Sequence, residues 1–123
     1  APADLYFLCD PDKLQRVFDN LLRNAVNYSF RDSVIRIHLL LDMGILTLTV
    51  ENEGATIPHE KLDRIFEQFF RLDSSRGSGS GGAGLGLAIA KEIVELHDGQ
   101  ISAESHDNRV IFTVKLPYSS GNR

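Results

Sequence analysis

The sequence predicts an α/β sandwich: about five strands in a mixed, largely antiparallel sheet, with three helices on one face. Three observations carry that expectation. β-Branched, alternating runs are joined by short polar turns, the pattern of antiparallel hairpins. Separate stretches space apolar residues at three- and four-residue steps, the pattern of amphipathic helices. The resulting order, strand, helix, two strands, helix, loop, helix, two strands, gathers the helices against one sheet.

Residues 5–9, LYFLC, read as a short strand. Asp10-Pro11 then starts a helix, with Asp as N-cap and Pro at the first helical position. Leu14, Val17, Phe18, Leu21, Leu22, Ala25 and Val26 form its apolar face. Residues 34–41 and 45–51 alternate as strands around the turn Asp42-Met43-Gly44. Pro58 opens a second helix carrying Leu62, Ile65, Phe66 and Phe69. A glycine-rich stretch leads into a third helix, from about Gly84 to His97, closed by Gly99 as the C′ residue. Two last strands, 100–105 and 109–116, flank the turn His106-Asp107-Asn108.

The 123 residues make one domain, with an ordered core over about 5–117, a mobile segment over about 71–83 and a polar tail at 118–123. A hydrophobic content of 42% and a charged content of 24% are globular values. No apolar run approaches the roughly 18 residues of a membrane span, so no direct membrane contact is expected. A net charge of −4 argues against nucleic acid as the main partner, so any phosphate site is local. The single cysteine, Cys9, excludes an internal disulfide and fits a reducing compartment. The chain starts at Ala1-Pro2 and reads as a piece of something longer.

Two features ask for a function. Asn20, Asn24, Asn27 and Tyr28 lie within one helix and share a narrow arc at the rim of its apolar face, while Asp12, Arg16, Asp19 and Arg23 take the solvated side. Asparagine is a poor helix former because its amide competes for backbone hydrogen bonds, so a row of them is either a polar surface stripe or a ligand site. A carboxamide oxygen is a neutral, hard ligand suited to Mg²⁺ that keeps water and phosphate as its other ligands.

The second feature is RGSGSGGAGLGLAIAKEI at 76–93, which holds six of the ten glycines. Two literal G-x-G-x-x-G matches, Gly77–Gly82 and Gly79–Gly84, lack the preceding strand that a dinucleotide fingerprint needs. No P-loop pattern is present. A linker is one reading. A loop feeding a helix start, whose free N–H groups favour phosphate, is the other.

Four blocks in order then resemble the ATP-binding catalytic domain of sensor histidine kinases, within the gyrase/Hsp90/MutL ATPase superfamily. NLLRNAVNYS at 20–29 resembles the N box and VENEGATIP at 50–58 the first glycine box. IFEQFFR at 65–71 resembles the F box and GGAGLGL at 81–87 the second glycine box. The resemblance covers residues 5–117 and implies a Bergerat-type fold with a flexible ATP lid over 71–83. Among such kinases the chain is most similar to vancomycin-resistance sensors of the VanS type.

The resemblance implies ATP and Mg²⁺ as cofactors, with Asn24 as the metal ligand and Asn20 one turn before it. Asn20, Asn24 and Arg71 carry over as catalytic residues. Asn27 stands where the family often has Lys, which removes one phosphate contact. Tyr28 matches a residue that packs by the nucleotide. Asn52 stands at the family's adenine-reading Asp, and Thr56 at its second glycine. A carboxamide oxygen still accepts from the adenine amino group, so adenine selectivity is expected to survive with weaker affinity. Gly54 lets the base come close and Ile57 lines its pocket. Gly82, Gly84, Leu85, Gly86 and Leu87 complete the nucleotide site. Arg71 reaches the terminal phosphate or makes a surface ion pair, Arg76 faces solvent, and Phe66 and Phe69 anchor the lid.

Hydrolysing relatives place a Glu general base where Asn20 stands, and an amide takes no proton at neutral pH. The expected reaction is therefore phosphoryl transfer to a histidine on a separate dimerisation/phosphoacceptor domain, followed by transfer to a response regulator. His59 is read as a surface residue, His38 and His97 as structural, and His106 as a turn residue, so the acceptor is expected outside this chain. The expected setting is the cytoplasmic part of a bacterial membrane-anchored sensor, monomeric as an isolated domain. Two alternatives stay open: a superfamily hydrolase or serine-directed anti-sigma-type kinase, and a degenerate interaction module without nucleotide.

Overall fold

The computed structural model describes residues 5–6, 11–68, 70, 86–117 and 119–120. Its elements are β1 (Leu5–Tyr6), α1 (Pro11–Tyr28), β2 (Ile35–Asp42), β3 (Ile45–Glu53), α2 (His59–Leu62), α3 (Gly86–Leu96), β4 (Gln100–His106), β5 (Arg109–Pro117) and β6 (Ser119–Ser120). The α/β class holds, with differences in the counts. The main sheet has four strands in the order β2-β3-β5-β4, and every pairing in it is antiparallel. The expected fifth strand is the two-residue β1, which pairs with β6 in a sheet of its own.

Both hairpin turns follow from their sequences. Met43 and Gly44 have φ of 53° and 82°, and Asp107 and Asn108 have φ of 53° and 60°. Two consecutive left-handed residues make the type I′ turn whose twist matches the flanking strands. His106 is therefore the last residue of β4 rather than a turn residue.

One face of the sheet carries the core. Leu46 and Val50 of β3 alternate with outward residues, as do Val110, Phe112, Val114 and Leu116 of β5. Helices α1 and α3 pack against each other, α1 over β3 and α3 over β4. The stripe that α1 buries is Val17, Leu21 and Ala25, with Leu14 partly buried. Val26, expected on that face, is 63% exposed, because the three- and four-residue steps from Val17 lead to Ala25 and past it.

Two helix boundaries differ from expectation. The second helix lasts one turn after Pro58 and has no side-chain cap. Bonds from Arg64 N–H to the Lys61 carbonyl and from Glu67 N–H to the Arg64 carbonyl, both 2.9 Å, continue it as three-residue turns. Ile65 is buried all the same, and Phe66 meets Phe112 edge-on with centroids 6.1 Å apart. Helix α3 ends in a Schellman motif, with Gly99 N–H on the Val94 carbonyl at 2.9 Å and Asp98 N–H on the Glu95 carbonyl at 3.0 Å. The left-handed C′ residue is Asp98, at φ 62°, not Gly99. Gly99 serves another need: a β-carbon there would lie 2.5 Å from the Lys115 carbonyl oxygen and 2.6 Å from Leu116 Cδ2.

Candidate functional site

The polar row of α1 and the start of α3 meet at one end of the helix layer. Asn20 and Asn24 are half-buried, one turn apart. Gly86 is the first residue of α3, and a β-carbon on it would lie 3.5 Å from Asn20 Oδ1. The Asn20 amide thus stands beside the first described turn of α3. Leu87 turns inward from the same turn and packs on the core.

The second part of the site grows from the inward register of β3. Leu46, Leu48, Val50 and Asn52 share the helix-facing side of this strand, so Asn52 holds a position where the alternation calls for an apolar residue. Its side chain is 1% exposed, and its Nδ2 is buried without a hydrogen-bond partner. The reason is local: its register neighbours are Ile35 on β2 and Val110 on β5, neither of which offers a polar side-chain atom. The flanking Glu51 and Glu53 point to the opposite face, where they meet Arg109 at 3.1 Å and Arg36 at 3.8 Å. A buried amide with an unanswered donor is unfavourable in isolation and marks a place where a ligand atom would be stabilising.

Gly54 closes this end. A β-carbon at Gly54 would overlap the carbonyl oxygen of Tyr28 and lie 3.0 Å from Asn52 Nδ2. Only glycine lets β3 leave the sheet over the C-terminus of α1 here. The Phe30 N–H donates to the Glu53 carbonyl at 2.8 Å and fastens the same crossing.

Residues 54–57 are then stapled to the β4–β5 hairpin. The Gly54 N–H donates to the Asn108 carbonyl at 3.0 Å, and the Asn108 N–H to Thr56 Oγ1 at 2.7 Å. The Ile57 N–H donates to Ser105 Oγ at 2.8 Å, whose hydroxyl donates to the Arg109 carbonyl at 2.8 Å. Ile57 is held buried by these bonds. Thr56 thus has a positive structural role where the resemblance has a glycine. The roles of Thr56, Ser105 and Asn108 escaped the sequence reading, because the contacts join residues about fifty positions apart.

The remaining expected residues separate into two groups. Asn27 is exposed and Tyr28 half-buried, at the end of the α1 row. Arg71, Gly82, Gly84 and Leu85 lie outside the described residues, as do Phe69, Arg76 and the whole of the expected lid. Of the histidines, His38 and His59 are exposed, and His97 Nδ1 is 2.9 Å from the Ile93 carbonyl.

Residues 9–120 match the model of a family described as histidine kinase-, DNA gyrase B-, and HSP90-like ATPase. A sensor protein VanS of Enterococcus faecium is 54% identical over 117 residues, which are 95% of this chain and 30% of the relative. A sensor protein VanSC of Enterococcus gallinarum is 49% identical over 113 residues, or 92% of this chain and 31% of the relative. The chain therefore spans just under a third of the length of these relatives. Among solved structures, a mycobacterial sensor histidine kinase, MprB, superposes with a TM-score of 0.82 at 29% identity, covering 94% of this chain and 79% of that one.

Proposed function

The chain belongs to the histidine kinase-, DNA gyrase B- and HSP90-like ATPase family, and from that premise we propose that it is the ATP-binding catalytic unit of a sensor histidine kinase of the vancomycin-resistance type. The observation that carries this reading is the unpartnered Nδ2 of the buried Asn52, beside which Gly54 crosses the end of α1. It supports a nucleotide base at that end, since an asparagine amide matches the donor and acceptor edge of a purine. At the other end, Asn20 lies beside the first described residue of α3, with Asn24 one turn further along α1, a combination suited to phosphate and magnesium.

Mg-ATP fits these residues, and when bound it supplies the γ-phosphoryl group. Asn24 would hold Mg²⁺ through its amide oxygen. Among the described residues no group of three His, Cys, Asp or Glu side chains offers a competing metal site. Asn20 and the first N–H groups of α3 would orient phosphate oxygens, and Gly86 leaves them room. Asn52, Gly54 and Ile57 would hold the base, with Tyr28 at its side. The second glycine box supports a further phosphate contribution from Gly82, Gly84 and Leu85, and the F box one from Arg71.

Asn20 also bears on what becomes of the phosphoryl group. Its amide has no basic lone pair at neutral pH and does not activate water. The chain's contribution is then positioning and charge stabilisation for an acceptor brought from elsewhere. That acceptor is a histidine on a dimerisation domain, from which a response regulator takes the phosphoryl group onto an aspartate. No described helix is long and apolar enough to cross a membrane, and the domain is proposed to work as a monomer on the cytoplasmic side of its sensor.

The test is to mix the domain with γ-labelled Mg-ATP and helical domains from such sensors. Label is expected on a histidine of a helical domain. Release of inorganic phosphate by the domain alone, at the rate of superfamily hydrolases, would replace this reading with the hydrolase one.

A further inference from the structure

We infer that the site reads the six-position of a purine with either half of the Asn52 amide, and so takes 6-oxopurine nucleotides as well as ATP. The inference rests on the nucleotide-binding reading above and deepens it. An aspartate at this register position would present acceptors only, favouring the amino group of adenine and repelling a carbonyl oxygen. Asn52 instead presents one acceptor and one two-proton donor. Adenine offers an amino donor and the N1 acceptor, whereas a 6-oxopurine offers the O6 acceptor and the N1–H donor. The amide is complementary to both edges, provided that it turns over about its Cβ–Cγ bond.

The surroundings of Asn52 leave that turn open. Its Nδ2 is buried and makes no hydrogen bond, so no partner locks the donor to one side. Its register neighbours, Ile35 and Val110, are apolar and indifferent to which amide atom faces them. The carboxylates on either side, Glu51 and Glu53, are on the opposite face, occupied with Arg109 and Arg36. At Gly54, the missing β-carbon leaves Nδ2 room on the strand-exit side. The expectation of retained adenine selectivity counted only the acceptor half of the amide. The unanswered atom in the structure is the donor, which a 6-oxo group satisfies directly.

Calorimetry of the domain with Mg²⁺ complexes of ATP and inosine triphosphate tests this, followed by GTP, which adds a 2-amino group. The wild-type domain should bind inosine triphosphate within about threefold of ATP, and Asn52→Asp should widen that ratio by about tenfold or more. ATP binding with inosine triphosphate weaker by about thirtyfold or more in the wild type would overturn the inference and leave the ATP reading standing. An unchanged ratio in a folded Asn52→Asp domain would also overturn it. Failure of both nucleotides to bind would remove the nucleotide reading and this inference together. Should Asn52→Asp not fold, the wild-type ratio alone decides.

Discussion

Gly54 crosses the backbone carbonyl of Tyr28 so closely that a β-carbon on residue 54 would overlap the oxygen and lie 3.4 Å from the carbonyl carbon. The neighbour is main chain at the end of a helix, so it cannot swing aside as a flexible side chain would. Gly54→Ala should therefore destabilise the domain by about 2–3 kcal/mol, as overpacking against a fixed neighbour does. Urea unfolding should show a lower midpoint with an unchanged slope. Nucleotide affinity should fall as well, because the same crossing shapes the space beside Asn52.

The staple between residues 54–57 and the hairpin makes a second prediction. Ser105→Ala leaves the Ile57 N–H and the Arg109 carbonyl without their shared partner, and Thr56→Val takes the acceptor from the Asn108 N–H. Each should cost about 1–2 kcal/mol by thermal or chemical unfolding. Both bonds hold one short segment, so the double variant should lose less than the sum of the singles. Thr56→Ser, which keeps the hydroxyl, should stay near wild type.

Asn52→Leu separates folding from function. It replaces a buried amide, whose donor lacks a partner, with an apolar side chain of similar size between Ile35 and Val110. Stability should hold or rise by about 1 kcal/mol. Binding of ATP should weaken by about tenfold or more. A stability loss with unchanged ATP affinity would make Asn52 a structural residue only.

Asn24→Ala should leave a folded domain that binds ATP with an affinity independent of Mg²⁺. The side chain is half-buried on α1, and alanine is the better helix former, so unfolding should change little. Titrations with Mg²⁺ and with a chelator should give the same Kd. Continued tightening by Mg²⁺ would move the metal ligand elsewhere.

Local chemistry was legible in the sequence, and long-range closure was not. Asp10-Pro11 announced the start of α1, and Met43-Gly44 and Asp107-Asn108 announced turns that adopt paired positive φ. The Asn20 and Asn24 row was visible from helical spacing alone, whereas Asn52 stood out only through the resemblance of its block, because β3 runs to Glu53 and the expected strand stopped at residue 51. In contrast, the second helix looked longer than one turn because Ile65 and Phe66 keep a helical spacing while reaching the core through successive turns. Asp98 took the left-handed position expected of Gly99, since two residues after the helix suited the motif and only the close packing around Gly99 assigned them. The Thr56, Ser105 and Asn108 staple had no local signature, because its partners meet only once β5 has paired with β3.

Calorimetry of the wild-type domain with ATP, in the presence and absence of Mg²⁺, bears most directly on whether the amides of α1 and the buried Asn52 together form a nucleotide site. Saturable binding that Mg²⁺ strengthens, and that both Asn24→Ala and Asn52→Leu weaken, is the predicted result. No heat at millimolar ATP with Mg²⁺, from a domain shown to be folded, would contradict it.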